Sequence, residues 1–157
     1  MSEDQDTKPE MPAQPEQASR KVTIDTARGQ IVMEVYPDLM PITMANFDKL
    51  VNAGFYDGLT FHRVEDWVIQ GGDPIGNGTG GPGWKIRLEI NPRLNNVRGA
   101  VAMARSLDPN SAGSQFYILK KDASWLNGQY AVFGKVVQGM DVVDQVQKGD
   151  PMKTVRG

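Results

Sequence analysis

The sequence predicts a mainly β fold: an antiparallel barrel, closed on itself, with two α-helices over its open ends. Three observations predict it. Short runs with apolar residues at alternate positions recur along the chain, separated by turns that draw on 17 glycines. Only two stretches carry the i, i+3, i+4 apolar stripe of a helix. A chain of 157 residues suffices for one domain and one core, not two. Closure is expected because it removes the unpaired edges that short strands otherwise expose.

The elements follow in order. Val22 and Ile24 alternate with Lys21, Thr23 and Asp25; after a turn at Ala27-Arg28-Gly29, Ile31, Met33 and Val35 alternate with Gln30 and Glu34. Two period-2 runs joined by a glycine-containing turn make a hairpin. A helix comes next, with Thr43 as its expected N-cap, Phe47, Leu50 and Val51 as its stripe and Gly54 as its stop. Further strands are expected at 59–64, 68–71, 101–104, 115–119 and 132–137. A second helix should run over 140–147 on Val142, Val143 and Val146, and an extended piece at 153–156 ends the fold.

Composition excludes several chemistries. There is no cysteine, hence no disulfide, thiolate metal site or cysteine nucleophile, and the single histidine, His62, rules out a multi-histidine metal centre. No apolar run approaches the roughly 18 residues of a membrane helix. Residues 1–20 carry five acids against Lys8 and Arg20, together with Pro9, Pro12 and Pro15. Such a segment buries too little to offset its ordering entropy and reads as a flexible acidic tail, leaving 21–157 as the folded domain. It is neither a secretory signal nor basic enough for a transit peptide, so a cytoplasmic protein is expected. The remainder is nearly neutral, which argues against nucleic-acid binding, and the basic stretch from Lys85 to Arg105 reads as a solvated face.

Three motifs are refused. Gly76-x-Gly78-x-x-Gly81 matches the dinucleotide fingerprint literally, but the residues after it, Pro82-Gly83-Trp84-Lys85-Ile86, read as extended and not as the required helix. Glu65 and Asp66 are adjacent in a tight turn, where carboxylates point into water rather than facing each other across a substrate. A hydrolase using this pair is therefore set aside. His62 and Arg63 are neighbours on an expected strand, so they should face opposite sides, and the histidine reads as a hydrogen-bonded structural residue.

One constellation survives. Alternation groups Arg63 with Phe61 and Gln70 with Val68, and the short 64–67 connection makes these segments a hairpin that brings Arg63 and Gln70 together. Ala102 and Ala104 share a face, as do Gln115 and Tyr117. If the faces adjoin, the alanines form a floor; Trp67, Val68, Tyr117 and Leu126 or Trp125 form walls; and Arg63, Gln70 and Gln115 supply hydrogen-bond donors. Such a site can polarise and hold a substrate but has no nucleophile.

Phe61-His62-Arg63, Gln70-Gly71-Gly72-Asp73, Gly78-Thr79-Gly80-Gly81, Gly113-Ser114-Gln115-Phe116 and Val132-Phe133-Gly134-Lys135-Val136 occur in the order found in cyclophilins, and the resemblance spans about residues 21–155. The chain resembles a bacterial-type cyclophilin. This implies an eight-stranded antiparallel barrel capped by two helices and a peptidyl-prolyl cis-trans isomerase without cofactor or metal. Proline-containing peptides and folding proteins are the implied substrates, cyclosporin-type cyclic peptides possible ligands, and a monomer with no nucleic-acid or membrane partner the implied state.

Carried over by motif, the catalytic arginine is Arg63 and the pocket glutamine Gln70. Substrate-binding positions fall on Trp67, Val68, Ala104, Arg105, Gln115, Tyr117, Trp125, Leu126 and Tyr130. Several depart from the best-known pattern: Trp67 and Val68 stand where Phe and Met are typical, Tyr117 where Phe is common, Tyr130 where many members have His, and Arg105 where Asn is usual. A binding module that holds proline segments without turnover is the competing reading, and retention of Arg63 favours the enzyme.

Overall fold

The computed structural model describes residues 19–157. The tail reading concerns residues that, apart from Ser19 and Arg20, lie outside the described ones. Arg20 already belongs to the first strand, β1 (Arg20–Thr26), which pairs along its whole length with β2 (Gly29–Val35). The turn between them is closed by Thr26, whose hydroxyl donates to the Gly29 carbonyl at 2.7 Å and accepts the Arg28 N–H at 3.1 Å. Alternation works as expected: Val22, Ile24, Ile31, Met33 and Val35 are all fully buried.

Helix α1 (Pro41–Asn52) buries Met44, Phe47, Leu50 and Val51 against the sheet. Its start differs from the expectation. Met40, not Thr43, is the cap residue, and Pro41 opens the helix, where its fixed φ suits the first turn and its missing N–H costs nothing. The free N–H groups of Ile42 and Thr43 donate to the Glu89 carboxylate at 3.1 and 2.8 Å, so a side chain from a distant loop provides the cap. Phe47 then sits 4.9–5.8 Å from the rings of Tyr56, Phe116 and Phe133, the centre of the main core.

The remaining strands are β3 (Arg63–Val64), β4 (Val68–Gly71), β5 (Ala100–Met103), β6 (Phe116–Leu119), β7 (Val132–Gln138) and β8 (Thr154–Arg156). A 3-10 turn, Ser124–Leu126, precedes β7, and the short helix α2 (Met140–Gln145) follows it, ending before Gln147 although Val146 is still buried. All eight strands form one antiparallel sheet in the order β3-β4-β6-β5-β7-β2-β1-β8.

This sheet is a curled, open half-barrel, which corrects the closed barrel. Its ends are β3 and β8, and the segments leading into them meet at an isolated Thr60–Pro151 bridge flanked by backbone hydrogen bonds of 2.7–2.9 Å between 58–61 and 149–152, without forming a ladder of the sheet. The strand expected over 59–64 is reduced to Arg63–Val64, with Thr60 paired separately in that bridge. Among the described residues no helix is long and apolar enough to cross a membrane.

The two faces of the sheet have different fates. On β4, β5 and β6, Ile69, Val101, Met103, Phe116 and Ile118 point into the main core. The alternate residues, Val68, Ala100, Ala102, Tyr117 and Leu119, form a second cluster with Ala123 and Val132, flanked by the half-buried Trp67, Leu126 and Tyr130. The second face carries the candidate site.

Candidate active site

Strand register builds the site. Arg63 on β3 lies opposite Gln70 on β4; Gln70 lies opposite Tyr117 on β6, Tyr117 opposite Ala102 on β5, and Ala102 opposite Val132 on β7. Because side chains directly across a ladder share a face, these five residues make one row. Over that row opens a cavity of about 410 Å³. Arg63, Trp67, Val68, Gln70, Ala104, Arg105, Tyr117, Leu126 and Tyr130 all line it.

The other two expected residues lie beside it. Gln115 lines an adjoining cavity and connects to the first through Gln70, whose amide donates to the Gln115 carbonyl oxygen at 2.9 Å. Trp125 does not line either cavity; it is 62% exposed, its ring 5.9 Å from that of Trp67.

A hydrogen-bond chain orients the polar groups. Arg63 Nη1 donates to Gln70 Oε1 at 3.3 Å, Gln70 to Gln115, and Gln115 Nε2 to the carbonyls of Gly78 and Gly80 at 3.0 and 2.9 Å. At the other end Arg63 Nε donates to Glu65 Oε2 at 2.9 Å, and the Trp67 indole N–H to Glu65 Oε1 at 3.0 Å. The guanidinium also lies 5.4 Å from the Trp67 ring centroid. Arg63 and Trp67 hold the Glu65 carboxyl below the usual carboxylate range. Tyr117 is pinned from behind, its hydroxyl donating to Asn96 Oδ1 at 2.6 Å; its ring meets Tyr130 edge-on at 5.9 Å, and Arg105 stands 4.5 Å over Tyr130.

Sequence reasoning missed His62, Asn77 and Gly78 as lining residues, and Glu65 as the partner of Arg63. His62 and Arg63 line one cavity because the strand begins only at Arg63, so alternation does not govern the pair. His62 Nδ1 is buried without a hydrogen-bond partner among the described residues, which corrects its reading as a hydrogen-bonded residue. Burial pushes the imidazole below the ordinary histidine range, Asp73 opposes this, and Arg63 and Lys148 add to it. Glu65 and Asp66 do not face each other: Asp66 pairs with Lys121 at 3.3 Å. Among the described residues no three His, Asp or Glu side chains could hold a metal ion.

The glycine-rich loop after β4 is held by Asp73, whose carboxylate accepts the N–H groups of Ile75, Asn77 and Gly78 at 2.8, 3.0 and 2.5 Å. Burial alone would raise this carboxyl, but the loop N–H groups outweigh it and keep it below its ordinary value of 3.8. A depressed folded-state value stabilises the loop above the unfolded value, and that contribution is lost as pH falls through the folded one. The amide resonances of Ile75, Asn77 and Gly78 are therefore expected to hold down to about pH 4 and to move together below it. In Asp73→Ala they should sit at displaced positions at every pH.

The sequence model of one family, described as "Cyclophilin type peptidyl-prolyl cis-trans isomerase/CLD", matches residues 21–156. Among curated proteins, peptidyl-prolyl cis-trans isomerase B of Bacillus subtilis is 48% identical over 131 residues, covering 82% of this chain and 90% of its own. A peptidyl-prolyl cis-trans isomerase of Helicobacter pylori is 41% identical over 138 residues, covering 85% and 83%. Among solved structures, a Cryptosporidium parvum cyclophilin type peptidyl-prolyl cis-trans isomerase, crystallised in the presence of the dipeptide Ala-Pro, superposes with a TM-score of 0.80. It is 32% identical and covers 87% of this chain and 98% of that one.

Proposed function

The chain belongs to the cyclophilin-type peptidyl-prolyl cis-trans isomerases, and on that premise we propose that it accelerates rotation about X–Pro bonds by placing Arg63 against the twisted imide in an apolar proline pocket. One observation carries this. The guanidinium is fixed at the cavity wall by Glu65 on Nε and Gln70 on Nη1, and Nη2 has no partner among the described residues. A positioned donor edge is left for a substrate.

Rotation about the imide faces a barrier of about 18–20 kcal/mol from amide resonance, and uncatalysed exchange takes tens to hundreds of seconds. Reaching milliseconds needs a reduction of about 6 kcal/mol at 1.36 per decade. No bond is made or broken, so no nucleophile is needed. In the twisted state the imide nitrogen becomes pyramidal and its lone pair localises, and a guanidinium directed at it binds that state better than the planar one. One charged hydrogen bond supplies about 1.5–3 kcal/mol. The remainder falls to the cavity, where Val68, Ala104, Tyr117, Leu126 and Tyr130 exclude water and Gln70 keeps its donors in place.

Proline-containing peptides and folding proteins are the proposed substrates, and the Ala-Pro dipeptide used with the Cryptosporidium relative supports the former. Cyclosporin-type cyclic peptides would occupy the same cavity, with the lining residue Trp67 and its neighbour Trp125 reporting by a change in indole fluorescence. The test is refolding of a protein limited by a slow proline phase: a hundredth of an equivalent of this chain should accelerate that phase, and a saturating cyclic peptide should abolish the effect.

Within this reading Glu65 is a positioning residue. Exposed ion pairs contribute little to stability, but this one sets the direction of Arg63. Glu65→Ala is expected to lower kcat about two- to fivefold with KM nearly unchanged, and Glu65→Gln, which keeps one acceptor, to fall between. In an Arg63→Ala background the same change should cost nothing further, a non-additivity read by a double-mutant cycle.

A further inference from the structure

Beside the proline pocket lies a second cavity of about 860 Å³, and the two share Gln70, Gly78, Ala104 and Arg105 in their walls. An extended peptide seated in the first therefore continues into the second, advancing about 3.3 Å per residue. We infer that the second cavity is a binding site for an acidic side chain, so that the preferred substrates carry Asp or Glu within two or three residues of the proline on one side. This rests on the reading of the first cavity as the proline pocket.

Charge and shape carry the inference. The second cavity is lined by Lys85 and Arg105, and among the described residues no Asp or Glu lines either cavity. Arg105 spends Nε on the Gln129 carbonyl at 2.8 Å and Nη1 on the Ser106 carbonyl at 3.0 Å, both neutral, stacks over the neutral Tyr130 ring at 4.5 Å, and has no hydrogen bond from Nη2 among the described residues. Lys85 Nζ has neither an ion pair nor a hydrogen bond among the described residues.

The carboxylates nearby are engaged elsewhere: Glu65 with Arg63 and Trp67, Asp73 with the loop N–H groups, Glu89 with the start of α1, Asp108 with the Asn110 N–H. The lining also includes Gly81 and Gly83, and a Cβ at either would meet nothing within 4 Å among the described residues. A long side chain therefore has room to reach the two cations. A groove with two uncompensated positive groups and no negative one attracts a carboxylate and repels an ammonium, with a strength that falls as salt rises.

The test uses peptides with Glu, Gln or Lys two residues before the proline, and a second set with the same residues two after it. Binding is measured by NMR titration and isomerisation by exchange spectroscopy, with the full chain. At low salt the Glu peptide of one set is expected to bind about fivefold tighter than its Lys counterpart, a difference of about 1 kcal/mol at 1.4 per decade. That ratio should fall below twofold in the Lys85→Gln/Arg105→Gln variant, and also at high salt in the wild type. Equal binding of Glu and Lys peptides, a ratio that survives both substitutions, or the same preference on both sides of the proline would overturn the inference. Tighter binding of the Glu peptide without accelerated exchange would leave the acidic site standing and refute the isomerase reading of the pocket.

Discussion

Arg63→Ala should reduce kcat/KM for proline-peptide isomerisation about ten- to a hundredfold while leaving the folded state almost as stable. The range follows from removing one charged hydrogen bond to the transition state, about 1.5–3 kcal/mol, at 1.36 kcal/mol per decade. The fold survives because the Arg63 side chain is 42% exposed, its partner Glu65 is 46% exposed, and the main core contains neither. The loss should fall on kcat, since the walls that bind the proline ring are untouched. Arg63→Lys keeps the charge but not the fork that engages Glu65 and Gln70 together, so it should recover only part of the rate. Peptide exchange rates and urea midpoints, measured on the same preparations, separate the two effects.

Gly72→Ala should cost about 2–5 kcal/mol of stability and most of the activity. Gly72 has a φ of +92°, and a Cβ there would lie 2.8 Å from the Ser114 carbonyl oxygen and 2.9 Å from the Tyr56 ring. Neither neighbour can yield easily. Tyr56 donates to that same carbonyl at 2.7 Å inside the aromatic core, and Ser114 Oγ donates back to the Gly72 carbonyl at 2.7 Å. The left-handed backbone adds about 1–2 kcal/mol for a non-glycine residue and the overlap about 1–3. Relief requires moving Ser114, hence Gln115, which breaks the chain of donors that orients Gln70 and Arg63. Gly128→Ala is the control: its φ is +79° but no atom of the described residues lies within 4 Å of a Cβ, so only the backbone cost of about 1–2 kcal/mol should appear.

Much of the site was legible because it depends on local pairing. A short connection between two period-2 runs predicts that Arg63 and Gln70 meet, and they stand directly across the ladder. Alternation likewise put Ala102 with Ala104 and Gln115 with Tyr117 on one face. What failed depends on contacts distant in sequence or on where a strand begins. Thr43 has the chemistry of an N-cap, but Pro41 starts the helix and Glu89, 46 residues beyond Thr43, supplies the acceptor. The closed barrel assumed that every edge would find a ladder partner; β3 is two residues long, and the segments leading into it and into β8 meet in one bridge rather than in a ladder. Glu65 carried only the signature of a turn residue, and nothing local in Val64-Glu65-Asp66-Trp67 distinguishes a solvated carboxylate from one that grips a guanidinium and an indole at once. His62 was assigned to the wrong side because period 2 was extended one residue past the strand.

The most direct measurement of the central claim is two-dimensional exchange NMR on a short Ala-Pro-Phe peptide in large excess over protein, comparing wild type with Arg63→Ala. The account predicts cis–trans exchange brought to the millisecond range by the wild type, at least a tenfold loss in the variant, and peptide-induced shifts at Val68, Gln70 and Tyr117 in both. Shifts at those residues without acceleration by the wild type would contradict it and leave a proline-binding module; equal acceleration by both proteins would transfer the catalytic role from the guanidinium to the apolar cavity.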